Sequence, residues 1–240
     1  MGTGLLLSGM GGYPGKNWRE IGKMRQGEVP VQPEPTPRPE TMPRTPPRIP
    51  PSILVTDHRR LVDPLPALAH LPRGAAVVLR HYDWPQDRRL ALLDRLRCPA
   101  HRRGLTLIWA GPPPGRPARG LGGVHLPEGL GRGGPLARIL LWRRAAPHRL
   151  LSMACHGALA LGRARALGCD LAVLSPVAPT ASHPGAPVLG PLRAAGLARG
   201  AGLPVAALGG LSRRTAGRLP PGIFAAIAGI FAESAPRLPK

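Results

Sequence analysis

The chain has 240 residues and a formal charge of +21, with 43% hydrophobic residues but only 3% aromatic ones. So few rings leave little for binding nucleic acid by base stacking, and any core must be built from Leu, Val, Ile and Ala. Cys98, Cys155 and Cys169 show no paired spacing, which excludes a disulfide framework and a CxxC metal site.

No run of ~18 continuous apolar residues occurs, so no membrane span is expected. The opening MGTGLLLSGMGG lacks the basic start and cleavable apolar stretch of a signal peptide. A soluble protein of a reducing cytoplasm is the expectation. The charge is nearly all arginine, spread over helices and loops at Arg88, Arg89, Arg102, Arg103, Arg143, Arg144, Arg213 and Arg214. This distribution reads as solvated faces, with no specific nucleic-acid partner, although it favours anionic ligands, phosphates included.

From Pro30 to Pro51 there are ten prolines interleaved with charges. Proline fixes φ and donates no hydrogen bond, so residues 1–51 are expected to be a disordered, extended, solvated segment. After Pro51 come short apolar runs at 53–56 (ILVT), 76–80 (AVVLR), 105–110 (LTLIWA), 123–126 (GVHL), 150–154 (LLSMA), 171–175 (LAVLS), 204–208 (PVAAL) and 223–227 (IFAAI). Runs without alternation suit strands buried on both faces, as in parallel sheets. Helical patterns lie between several of them: 86–103, with Leu90, Leu93 and Leu96 on one face, and 157–168 and 190–200, each ending in glycine. Residues 111–123 hold too many prolines and glycines for a long helix, and only 229–234 remain for a last one. Eight repeats of strand and helix predict an α/β fold, a (β/α)₈ barrel over residues 52–236, with an open doubly wound sheet as the other solution.

Barrel chemistry gathers at the C-terminal ends of the strands. That rule selects Asp57, Arg80, Tyr82, His125, Glu128, His156, Thr180, Ser182, His183, Gly209 and Gly210. Arg80 closes an apolar run and could grip a phosphate or carboxylate, or pair with Asp57 or Asp83. His125 and His156 end separate strands and could pass a proton in both directions. The loop 175–190 (SPVAPTASHPGAPVLG) sets hydroxyls among rigid prolines, suiting an anion cradle. The glycine pair at 209–210, with Gly229, lies where barrels place a phosphate.

These pieces, 53–57 (ILVTD), 78–83 (VLRHYD), 123–129 (GVHLPEG), 154–156 (ACH), 174–190 and 204–210 (PVAALGG), stand in an order that resembles the thiamine-phosphate synthase/thiazole tautomerase (TenI) family over roughly residues 52–232. The resemblance implies a (β/α)₈ barrel acting on a thiazole phosphate, with pyrimidine diphosphate and Mg²⁺ in the synthase branch. The chain departs from that branch. Val78 and Tyr82 stand around Arg80 where the family has glutamine and lysine, Ala110 and Gly111 replace the Asn-Asp ending strand 3, and Leu130 falls near the next aspartate. Ala154 stands for a serine and His183 for the loop lysine.

The tautomerase branch, needing a proton relay and an anion grip, is the simpler reading. In it no metal is required, His156 acts as general acid/base with His125 as a second catalytic candidate, and Arg80 holds a carboxylate. Tyr82, Thr180, Ser182, His183, Gly209, Gly210 and Gly229 line the remaining ligand contacts. The alternatives are a synthase in which Glu128 and substrate diphosphate hold Mg²⁺, and a non-catalytic barrel binding a phosphorylated thiazole or thiamine-type compound. A homo-oligomer is compatible with any of the three.

Overall fold

The computed structural model describes residues 47–115, 120–132, 136–180, 185 and 187–229. Eight parallel strands form a closed ring in chain order: β1 (Ser52–Val55), β2 (Ala76–Leu79), β3 (Thr106–Ala110), β4 (Gly123–Leu126), β5 (Leu150–Cys155), β6 (Leu171–Leu174), β7 (Val205–Leu208) and β8 (Ala226–Gly229). β8 returns to pair with β1, Ala228 opposite Ile53. Around the ring lie α1 (Leu65–Leu68), α2 (Gln86–Arg102), α3 (Leu136–Arg144), α4 (Ala158–Ala166), α5 (Pro191–Gly200) and α6 (Arg213–Ala216), and a 3₁₀ turn (Glu128–Arg132) follows β4. The (β/α)₈ barrel is the fold. No helix among the described residues is long and apolar enough to cross a membrane.

The strands are apolar throughout because each has two buried faces. Alternate residues build two separate cores. One fills the lumen with Ile53, Val55, Val78, Ile108, Leu150, Leu171 and Val173. The other packs Leu54, Val77, Leu107, Trp109, Leu151 and Leu174 against the helices. The lumen also takes small residues, Ala76, Ala110, Ala206, Ala226 and Ala228.

α2 shows how sequence sets an element. Pro85 disfavours a helical Trp84 and so fixes the start, while Asp87 in the first turn suits the positive helix end. Leu92, Leu93, Leu96 and Ala100 are buried, with Leu90 partly covered. Each leucine contributes on the order of 2 kcal/mol. Gly104 at φ +65° turns the chain away just past the end.

Three expectations change. β8 begins at Ala226, not residue 223: Ile223 and Phe224 pack in the outer core, and the pairing with β7 sets Ala226 opposite Ala206, with Ala226 and Ala228 facing the lumen. The short helices α1, α3 and α6 supply crossovers that periodicity did not show. Arg143 and Arg89 do not lie on solvated faces: Arg143 is 9% exposed and bonds Asp170 at 2.8 Å, and Arg89 is half-buried. Between β3 and β4 no helix occurs among the described residues.

Most of the segment expected to be disordered, residues 1–46, lies outside the described residues, as does the expected last helix beyond Gly229. Of residues 47–51, Ile49 packs against the lumen core ahead of β1.

Candidate active site

The strands deliver a set of polar side chains to one end of the ring. Beyond Val55, Thr56 is fully buried, and its Oγ1 accepts the backbone N–H of Arg80 (3.0 Å) and lies 2.8 Å from His81 Nδ1. This ties the tops of β1 and β2 together and sets Arg80 beside Asp57. Arg80 Nη2 donates to Asp57 Oδ2 at 2.5 Å. Asp57 Oδ1 accepts the backbone N–H groups of Arg59 and Arg60, each at 3.0 Å. Burial opposes the Asp57 charge, but those two amides and the Arg80 guanidinium outweigh it and hold the carboxyl below its ordinary range.

His125 sits on β4 opposite Ser152 of β5, its Nδ1 3.0 Å from Ser152 Oγ. It is 8% exposed. Burial, reinforced by the nearby Arg80 charge, lowers its pKa to about 4. His125 is therefore neutral at physiological pH. It can donate or accept a hydrogen bond inside the ring, and its burial disfavours the protonated form.

His156 is different. It follows β5 directly, and its side chain is 56% exposed. Nδ1 lies 2.8 Å from the Ser175 carbonyl oxygen and 3.2 Å from Ser175 Oγ. A carbonyl only accepts, so Nδ1 carries the hydrogen and the neutral ring presents its lone pair at Nε2. That nitrogen is 3.9 Å from Glu128 Oε2, while Glu128 Oε1 accepts from Arg163 Nη2 at 3.0 Å. The result is an imidazole oriented from behind with a carboxylate beside its basic nitrogen.

The glycine pair has a structural reason of its own. Gly209 and Gly210 have φ of +99° and +63°. A Cβ on Gly209 would lie 2.9 Å from Pro176 Cα, and one on Gly210 would press into the backbone of Ala178 and Pro179. The loop after β6, whose Ser175–Pro176 bond is cis, is laid against the β7 turn. Val177 N donates to Leu208 O (2.9 Å) and Ala178 N to Gly209 O (3.0 Å).

Of the expected residues, Arg80 and His125 lie near enough to interact, and His156 meets Glu128. Tyr82 is exposed, its ring 5.9 Å from the Arg89 guanidinium. Thr180 sits partly buried on the β6 loop, and Gly229 pairs with Leu54 at the end of β8. Ser182 and His183 lie outside the described residues.

Ser152, Ser175 and Arg163 were missed. Ser152 could have been found by strand alternation, four residues before His156 on the same face. Arg89 was also misread. Its guanidinium stacks 4.0 Å from the Trp109 ring centre and donates to the strand-end carbonyls of Leu79 (3.0 Å) and Ala110 (2.8 Å).

Mg²⁺ wants carboxylate oxygens. Among the described residues no three His, Cys, Asp or Glu side chains group as a metal site. Of the carboxylates just past the strand ends, Asp57 and Glu128 are each already bound to an arginine, and Asp83 meets His58 at 2.7 Å. These residues do not fit the ion.

Comparison with known proteins adds the following. The thiamine monophosphate synthase family profile matches residues 53–233. Among solved structures, thiamine phosphate pyrophosphorylase from Pyrococcus furiosus superposes with a TM-score of 0.55 at 18% identity, covering 73% of this chain and 83% of its own. FabK from Thermotoga maritima gives a TM-score of 0.53 at 13% identity, covering 75% of this chain and 57% of that one. Likeness at this identity shows the shared barrel. No curated protein sequence matches the chain.

Proposed function

The chain belongs to the thiamine monophosphate synthase family, and on that premise we propose that it is a metal-independent isomerase of a thiazole carboxylate phosphate, with His156 as general acid/base. The observation that carries the reading is the His156 geometry: Nδ1–H given to the Ser175 carbonyl at 2.8 Å, Nε2 left to accept a proton. Isomerisation moves one double bond. Nε2 removes a proton from one ring position and returns it at another, so no group leaves and no second substrate is needed. Glu128, 3.9 Å away, steadies the imidazolium between the two transfers. Arg80 spends one nitrogen on Asp57, and the rest of its fork is available to a carboxylate. Neutral His125 with Ser152 offers a hydrogen bond to the ring of the ligand. Gly209, Gly210, Gly229 and the loop bearing Thr180, Ser182 and His183 take the phosphate, with Tyr82 at the edge.

Condensation with a pyrimidine diphosphate is less well supported, because that reaction asks for a hard cation and Asp57 and Glu128 are held by guanidinium groups.

The test uses the full chain and the thiazole carboxylate phosphate in D₂O, followed by proton NMR. Tautomer conversion with deuterium incorporation, unchanged by EDTA and abolished in His156→Ala, is expected. Conversion that survives His156→Ala overturns the assignment of His156. Condensation with pyrimidine diphosphate that stops in EDTA identifies a synthase, and binding without turnover of either substrate pair identifies a carrier.

A further inference from the structure

We propose that the face of the barrel opposite the strand C-terminal ends is a docking surface for a nucleic-acid duplex, held through its phosphate backbone without base readout. The argument begins with topology. Strands run toward the site, so every long helix runs back and ends on the far face, together with the loops that lead into the next strand. Among the described acids, Asp57, Asp63, Asp83, Asp87 and Glu128 fall on the strand-end side, on β-to-α connections or a helix first turn, while Asp94 lies midway along α2 and pairs with Arg97 (2.9 Å). Arginine stands exposed on both faces, at Arg59, Arg60, Arg88, Arg138 and Arg193 on the strand-end side, but on the far face fewer acids oppose it. Arg102, Arg144, Arg165 and Arg199 stand at or next to the C-terminal ends of α2, α3, α4 and α5, with Arg73 and Arg218 on neighbouring loops. All six are exposed.

Two ordinary explanations fall short. Basic residues at helix C-termini answer the helix dipole, but each end carries only about half a negative charge, so four helices offset about two of these arginines. Ion pairing also fails. Asp170 is the acid on this face, and it is consumed by Arg143 (2.8 Å) and the Leu151 backbone N–H (2.8 Å). None of the six arginines joins an ion pair among the described residues. An excess of like charge on one face repels itself, and anions lying across it relieve that repulsion.

The arginine side chain suits phosphate, because its planar fork grips two oxygens at once. Base stacking is not offered, since Trp142 at the end of α3 is covered by the Arg149 guanidinium 4.2 Å from its ring. A membrane surface is less suitable. The strongly exposed Leu159 and Leu192 lie in the first turns of α4 and α5, on the opposite side, and cannot anchor this face.

The experiment compares two triple variants of the full chain with the same net charge. Arg144→Gln/Arg165→Gln/Arg199→Gln alters the far face, and Arg59→Gln/Arg88→Gln/Arg193→Gln alters the strand-end side. Binding of a short random-sequence duplex DNA is read by fluorescence anisotropy from low salt to about 150 mM, with circular dichroism melts confirming that both variants are folded. The far-face triple should lower the slope of log K against log salt by about three and weaken binding at every salt, while the other triple matches wild type. Equal loss in both triples shows diffuse charge and overturns the proposal, as does wild-type binding that vanishes by about 150 mM salt. Phosphatidylserine-containing vesicles form the other arm. If the far-face triple loses vesicle binding but keeps duplex binding, the surface belongs to a membrane and the proposal fails.

Discussion

Lowering the pH from 7 to 5 should destabilise this barrel through His125 alone by about 2 kcal/mol. In the folded chain, burial and then the Arg80 charge hold the His125 pKa at about 4, against an ordinary 6.5. Below 6.5 the unfolded chain takes up a proton that the folded chain refuses, so stability is full above that pH and is lost as pH falls toward 4. The difference of about 2.5 units corresponds to about 3 kcal/mol once both values are passed, roughly two-thirds of it by pH 5. Urea unfolding followed by circular dichroism at pH 7 and pH 5 measures the loss. His81, also lowered by burial, adds a loss of the same sign in every variant. His125→Asn keeps a hydrogen bond to Ser152 without a titrating ring, so it should lose about 2 kcal/mol less than wild type between the two pH values. If wild type and His125→Asn weaken equally, the buried imidazole is not the proton-linked group and the picture of a dry polar pair in the ring is wrong.

Other expectations follow from single contacts. Gly210→Ala puts a Cβ at φ +63° against the Ala178 and Pro179 backbone and should cost more than about 2 kcal/mol in urea unfolding. Asp170→Ala strips the partner from Arg143, a pair with 14% and 11% side-chain exposure, and should cost about 3–5 kcal/mol. The Cys155 and Cys169 thiols are buried and pushed up to about 12 by that burial, while Cys98 is exposed. An aromatic disulfide reagent should therefore modify Cys98 in the native chain and the buried pair only in denaturant. Equal labelling of all three before unfolding would contradict the packing.

The barrel was legible because a strand covered on both sides must be apolar throughout, and such runs stand out between Gly, Pro and Arg. What was lost was register. Nothing local in 223–227 says that Phe224 faces the helices and that the strand waits for Ala226; only the pairing with Ala206 decides it. The rule that working residues follow strand ends selected Arg80, Glu128 and His156, and the structure sets each at or just past a strand end. The environments did not come with them. His125 and His156 look alike as letters, yet one is enclosed on β4 and the other stands in solvent after β5. Arg89 and Arg88 are adjacent, and only the turn of α2 decides that Arg89 reaches two strand carbonyls. Those distinctions arise from partners on other elements of the chain or from helix phase, which composition cannot report.

The seam between residues 176–179 and 208–210 leaves this stretch of the rim little freedom. Two backbone hydrogen bonds and two side-chain-free positions weld neighbouring connections into one piece, so neither can swing outward without dragging the other. That side of the rim is a fixed wall and not a moving flap.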